Sequence, residues 1–390
     1  MRAAIIVPMA NSIAAAIALA GAISFSVHGQ ANHTASQSPE ERNIVQPAAD
    51  ALFAAFDAHP LVGLSDNHGL AQEMEFYENV IRDPRFARDV GNVVVEFGGA
   101  ARQDVIDRYV NGEIVPYADL RQVWTDTVGW LPTVVYLGYA HFFTVVRETN
   151  SKLPPQARIK VWLGEPPIIW STVHTHAEYM EIDATRDSHA AKLIVSQILN
   201  KNEKALVIYG GGHLAPSSEE SAQYLDLRKV DPTATPSRRL RALVEASYPG
   251  AFFIVRLYTG FENRVCTMKF ERRFARWSMP AMAAISSGST LEREMRRCGR
   301  PSGLVYFYAP NVPQAFRDFR ERQLDNYLSL ADAVLFLGSA ESLTKSPILP
   351  DLYLDEEYRE EISRQMEIKT GKPLSATWGR NTPIAPEPFR

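Results

Sequence analysis

Short apolar runs punctuate this chain, and several of them stop at an acid, a histidine or both. Pro60 to Leu64 runs into Ser65, Asp66, Asn67 and His68. Asn92 to Val95 runs into Glu96, and Ile159 to Leu163 runs into Gly164 and Glu165. Ala205 to Tyr209 runs into Gly210, Gly211, Gly212 and His213. Continuous apolar runs of this length read as strands buried on both faces. Between them, Leu70 to Ile81, Gln103 to Val110 and Asp183 to Leu199 repeat apolar residues at helical spacing, with Asp183 or Thr185 placed to cap the last. Further helices are predicted over 47–58, 117–127, 133–149, 236–246 and 355–366, and further strands at 251–258 and 331–337.

Strands alternating with helices predict an α/β layered domain with a mainly parallel central sheet flanked by helices. In such a sheet the strand carboxyl ends lie along one edge, where ligands bind. The four polar strand ends therefore predict one crevice lined by Asp66, His68, Glu96, Glu165 and His213.

Each residue has a bland reading as well. Asp66 and His68 are equally suited to a turn that caps the next helix. Glu96, ending a run without polar relief, is either a carboxylate tuned by desolvation or half of a salt bridge to Arg102 or Arg186. The glycines before His213 leave room for close approach, but lack the lysine and spacing of a phosphate loop. Arg186 and His189, three apart on a helix, share a face that begins near the strand ends. Arginine there suits a carboxylate or an oxyanion, and the alternative is an exposed surface pair. His174 and His176 lie in the long connection 165–182, where an exposed loop is the plainer reading than a metal site.

Residues 1–31 carry a single charge, Arg2, and a long apolar stretch followed by small residues. This is the pattern of a secretory signal peptide, with an uncleaved anchor as the alternative. The expectation is a periplasmic or secreted protein without stable membrane insertion after cleavage. Residues 32–46 form a polar lead-in and 47–390 a single domain, interrupted by an irregular excursion at about 262–330. From Arg264 to Arg300 the excursion holds nine Arg or Lys against three Glu, either a solvated surface or a basic lid for an anionic substrate. The net charge of −4 gives no reason to expect nucleic acid. Cys266 and Cys298 are the only cysteines, and spacing alone does not decide whether they pair. No GxSxG elbow or HExxH motif is present.

Taken in order, the motifs resemble the superfamily of erythromycin esterase-like proteins, ChaN-like haem-binding proteins and Tiki-type proteases. Its strand followed by Gly-Glu-x-His-Gly stands here as Ser65-Asp66-Asn67-His68-Gly69. Its Glu-Phe-Gly is Glu96-Phe97-Gly98, followed by Gln103, Asp107 and Tyr109. Its Arg-Asp helix is shortened to Arg186-Asp187-Ser188-His189-Ala190, and its Tyr-Gly-x-Gly-His is Tyr209 to His213. The likeness covers about residues 50–260, with a weaker echo at Val334 to Gly338.

The resemblance implies three alternatives. In the first, the chain hydrolyses a small ester, lactone or amide without a cofactor. His68 is then general base, Asp66 and Glu96 orient the histidines, Arg186 binds an acidic group or oxyanion, and His213 donates to the developing charge. In the second, it binds haem or iron through the strand-end histidines or a tyrosine such as Tyr209 or Tyr258. In the third, a divalent metal on His68, Glu96 and His213 performs the hydrolysis.

Overall fold

The computed structural model describes residues 45–129, 136–215, 239–299 and 331–375, and the backbone of 387–388. The expected signal peptide and nearly all of the lead-in lie outside the described residues.

The central sheet has eight strands: β1 (Val45–Pro47), β2 (Leu61–Asp66), β3 (Asn92–Gly99), β4 (Lys160–Glu165), β5 (Ala205–Gly210), β6 (Phe252–Leu257), β7 (Ala281–Ala284) and β8 (Ala333–Phe336). They lie in the order β1-β7-β8-β6-β2-β5-β3-β4. From β8 to β4 every pairing is parallel, whereas β7 and β1 are antiparallel additions at one edge. The α/β layered fold with a mainly parallel sheet is therefore present.

Alternation along the strands divides the core in two. Val62, Leu64, Val93, Val95, Leu206 and Ile208 face one layer, with the helices α1 (Ala48–Ala58), α2 (Ala71–Arg82), α3 (Gln103–Val110), α4 (Tyr117–Thr125) and α5 (Leu137–Asn150). Leu61, Val94, Ala205, Val207 and Tyr209 face the other. There they meet Ala190 and Ile194, which belong to the second helix in the series α6 (His176–Asp183), α7 (Arg186–Gln197) and α8 (Leu240–Glu245). Leu240 and Val244 of α8 close the same layer. Burial on both faces explains why these strands read as unbroken apolar runs.

Three expectations need correction. The 262–330 stretch is not irregular where described: it contains α9 (Arg264–Phe274), β7 and α10 (Thr290–Cys298), packed around Tyr258, Phe270, Phe274 and Phe336. A disulfide joins Cys266 of α9 to Cys298 of α10. β7 escapes the sequence reading because its alanines and methionine carry no strand preference. The 165–182 connection holds α6, started by a Thr175–Glu178 capping box. Asp183 ends α6, and the Thr185 hydroxyl donates back to Ile182 O, so neither side chain caps α7.

The last helix among the described residues, α11 (Glu356–Thr370), follows β9 (Thr344–Lys345), which pairs with β10 (Glu387–Pro388). No helix among the described residues is long and apolar enough to cross a membrane.

Candidate active site

The carboxyl ends of β2, β5, β3 and β4 are neighbours in the sheet, and each delivers one part of the site. At the end of β2, Asp66 is buried. Its Oδ2 lies 2.8 Å from His68 Nδ1 and accepts the Tyr139 hydroxyl at 2.6 Å, while Oδ1 accepts the Tyr77 hydroxyl at 3.2 Å.

His68 occupies the left-handed region, with φ 47°, a conformation unfavourable for a residue with a Cβ. The turn around it is tied at several points. Asn67 donates its backbone N–H and its side-chain amide to the buried Glu73 carboxyl, both at 2.9 Å. Lys345 Nζ donates to His68 O at 2.7 Å, and Gly69 N donates to Tyr139 Oη at 3.0 Å. Gly69 has φ +81° and faces the Tyr136 ring, which a Cβ would approach to 2.2 Å.

With Nδ1 committed to Asp66, His68 presents Nε2 to the crevice, and its side chain is 35% exposed. A Cβ on Gly210 would come 3.1 Å from both His68 Nε2 and Glu96 Oε2, so the bare glycine is what lets imidazole and carboxylate converge. Burial works against the His68 imidazolium, but the Asp66 hydrogen bond and the Glu96 charge outweigh it and raise its pKa above the ordinary value.

Glu96 at the end of β3 accepts the Gly210 N–H and Arg186 Nη2, the latter at 2.8 Å, and lies 3.4 Å from His213 Nε2. Burial alone would raise its pKa, yet its neighbours His213, His68 and Arg186 hold it well below the usual carboxylate range. Glu165 at the end of β4 takes Arg186 Nε and Nη2 in a forked contact at 2.8–3.0 Å. Burial leaves its pKa above the ordinary value despite Arg186.

After β5, His213 sets Nδ1 2.5 Å from Asp187 Oδ1 on α7. Burial pushes its pKa down, but the Glu96 charge and the Asp187 hydrogen bond raise it to about 9. Two histidine–aspartate pairs thus flank one buried glutamate. At neutral pH, His213 is an imidazolium.

Asp66, His68, Glu96, Glu165, Arg186 and His213 are brought together as expected. His189 is not: it makes no hydrogen bond to this group, and its Nε2 is buried without a partner among the described residues. Three residues of helix carry it about 4.5 Å further along the α7 axis from the strand ends than Arg186. Asp187, in the first turn of α7, is the residue that reaches His213 instead. Its place beside Arg186 in the Arg-Asp motif was the available signal, whereas nothing local in the sequence marks Tyr77, Tyr139 or Lys345.

Arg186 is also reassigned. Its Nε and Nη2 are occupied by Glu96 and Glu165, and Nη1 lies 3.9 Å from Asp183, so the guanidinium positions carboxylates. His174 and His176 are exposed; His174 N donates to Glu178, and His176 Nδ1 lies 2.9 Å from Ile368 O.

The carboxylate of the metal alternative and the tyrosines of the haem alternative are engaged elsewhere. Both Glu96 oxygens already accept hydrogen bonds, and among the described residues no group of His, Cys, Asp or Glu is arranged to hold a metal ion. Tyr209 and Tyr258 are both buried; the Tyr209 hydroxyl abuts Gly164, where a Cβ would lie 2.0 Å away.

No protein-family model and no curated protein matches the chain. Among solved structures, a Bacillus cereus protein solved as target BcR135 aligns over 77% of this chain and 99% of its own, with 10% identity and a TM-score of 0.44. The type III effector HopBA1 aligns over 56% of this chain and 85% of its own, with 11% identity and a TM-score of 0.33.

Proposed function

We propose that this chain is an exported hydrolase of an ester, lactone or amide, working by histidine acid–base chemistry. The observation that carries this reading is the Asp66–His68 pair. A hydrogen bond from Nδ1–H to Asp66 selects the tautomer whose Nε2 lone pair faces the crevice, as a general base requires.

In the proposed reaction His68 Nε2 takes a proton from water as the oxygen bonds to the substrate carbonyl carbon. The tetrahedral oxyanion collapses, the bond to the alkoxide or amine breaks, and His213 donates the proton that group needs. His68 has then gained one proton and His213 has lost one; exchange through solvent restores both. Glu96 stabilises the His213 imidazolium, and Arg186 keeps Glu96 ionised and in place.

Export is supported by the Cys266–Cys298 disulfide, since such bonds persist in oxidising compartments. The apolar, nearly uncharged residues 1–31 supply the expected signal.

The test is a screen of small esters, lactones and amides with the purified protein, repeated with chelator present. Turnover that His68→Ala abolishes, and that Asp66→Asn lowers about 10³–10⁴-fold by disturbing the tautomer, is the expected result. Full activity in His68→Ala would overturn the assignment.

A further inference from the structure

The C-terminal helix α11 lies outside the stretch that carries the site motifs, yet its last turn inserts a lysine behind the site. Lys369 is only 8% exposed. Its ammonium donates to Gly129 O at 2.6 Å and lies 4.8 Å from the centre of the Trp170 ring and 5.9 Å from that of Tyr179.

Thr127, Val128 and Gly129 are consecutive buried residues whose carbonyls are each held by a different element. Trp170 Nε1 donates to Thr127 O at 3.2 Å, the Tyr179 hydroxyl to Val128 O at 3.3 Å, and Lys369 to Gly129 O. The segment packs directly on the site's ion pair: a Cβ on Gly129 would lie 3.2 Å from Arg186 Nη2 and 3.7 Å from Glu165 Oε2. That Nη2 is the nitrogen joining Glu165 to Glu96. Further contacts fix α11 here, with Arg364 donating to Val173 O at 3.0 Å and Trp170 O at 2.8 Å.

We propose that Lys369 is a positioning residue of the site: by holding Gly129 against Arg186, it keeps the guanidinium in register with Glu96 and Glu165. Its importance to turnover rests on the hydrolase reading above, but its effect on Arg186 does not.

The chemistry of the position supports a role beyond packing. A buried ammonium loses its water shell, and only carbonyl, ring and charge contacts compensate. Burial and the Arg186 charge, against the opposing pull of Glu165 and Asp183, lower the Lys369 pKa to about 7. A methionine would fill similar volume without that desolvation cost. What it would not supply is the donor to Gly129 O.

The test is Lys369→Met in the full mature protein, with exchange of the Arg186 Nε–H against solvent followed by ¹⁵N NMR. Ile362→Val, in the main core on the same helix, serves as a comparison for general loosening. The expected result is a rise of about tenfold in Arg186 Nε–H exchange, as loss of one buried hydrogen bond implies, while the Val207 amide in β5 is unchanged. Ile362→Val should leave the Arg186 signal alone. If Lys369→Met does not fold, Tyr179→Phe removes the neighbouring bond to Val128 O and should act in the same direction. An Arg186 signal unaltered in the folded variant, or altered only in step with Val207, would overturn the proposal. Absence of turnover in the native protein would count against the hydrolase reading, and the Arg186 measurement would still decide the role of Lys369.

Discussion

Asp187 Oδ1 lies 2.5 Å from His213 Nδ1, joining the first turn of α7 to the loop after β5. The contact repeats, on the other side of Glu96, the pairing of Asp66 with His68. Glu96 and Asp187 together raise the His213 pKa to about 9, which suits the proton-donor role proposed for it.

Asp187→Asn should therefore lower the His213 pKa by about one unit, since a lost charged hydrogen bond is of that order. The value should stay above that of a free imidazole because Glu96, the larger of the two raising influences, remains. A histidine-resolved NMR titration of both proteins reads this directly. Identical His213 curves would remove Asp187 from the site.

In the proposed reaction the two histidines set opposite limbs of the pH–rate profile. His68 must be neutral to accept a proton, so kcat/KM should rise with pH through a value above the ordinary histidine pKa. His213 must be protonated to donate, so kcat/KM should fall as pH rises through about 9. In Asp187→Asn the alkaline limb should move to lower pH while the acid limb stays. A profile that is flat from pH 6 to 10, roughly the span of both groups, would contradict this division of labour.

Arg186 carries the charge balance between two buried glutamates. Arg186→Met leaves Glu96 and Glu165 facing each other without the guanidinium and should destabilise the fold by about 3–5 kcal/mol. Adding Glu165→Gln should recover part of that loss by removing one buried charge. Urea unfolding of the three variants gives the cycle, and strictly additive losses would show that the pair is not coupled.

Cys266 and Cys298, 32 residues apart, close a loop linking α9 to α10. Replacing both with serine should cost about 2–4 kcal/mol by freeing the unfolded chain. Thermal unfolding under oxidising and reducing conditions should reproduce the difference for the native protein and show none for the variant.

Much of the site was legible because buried parallel strands have a distinctive signature. Their apolar runs cannot hide a polar residue, so the first acid or histidine after each run marks the crevice edge. That reasoning located Asp66, His68, Glu96, Glu165 and His213. It failed for His189, because helical periodicity assigns a face but not how far along the helix axis the crevice extends. It also assigned Arg186 to substrate, since a sequence does not reveal that two carboxylates have already claimed its donors.

The strand ends and the layered architecture follow from the sequence by itself, because desolvation governs both and acts residue by residue along the chain. The partners were decided by tertiary structure alone. Strand order β2-β5-β3-β4 brings together residues far apart in sequence, and only that order sets Glu96 between the two histidines. The left-handed turn at His68, the choice of Asp187 over His189 and the lysine of α11 behind Arg186 arise in the same way. Hydrogen bonds and ion pairs depend on distance and direction in space, which local pattern does not encode.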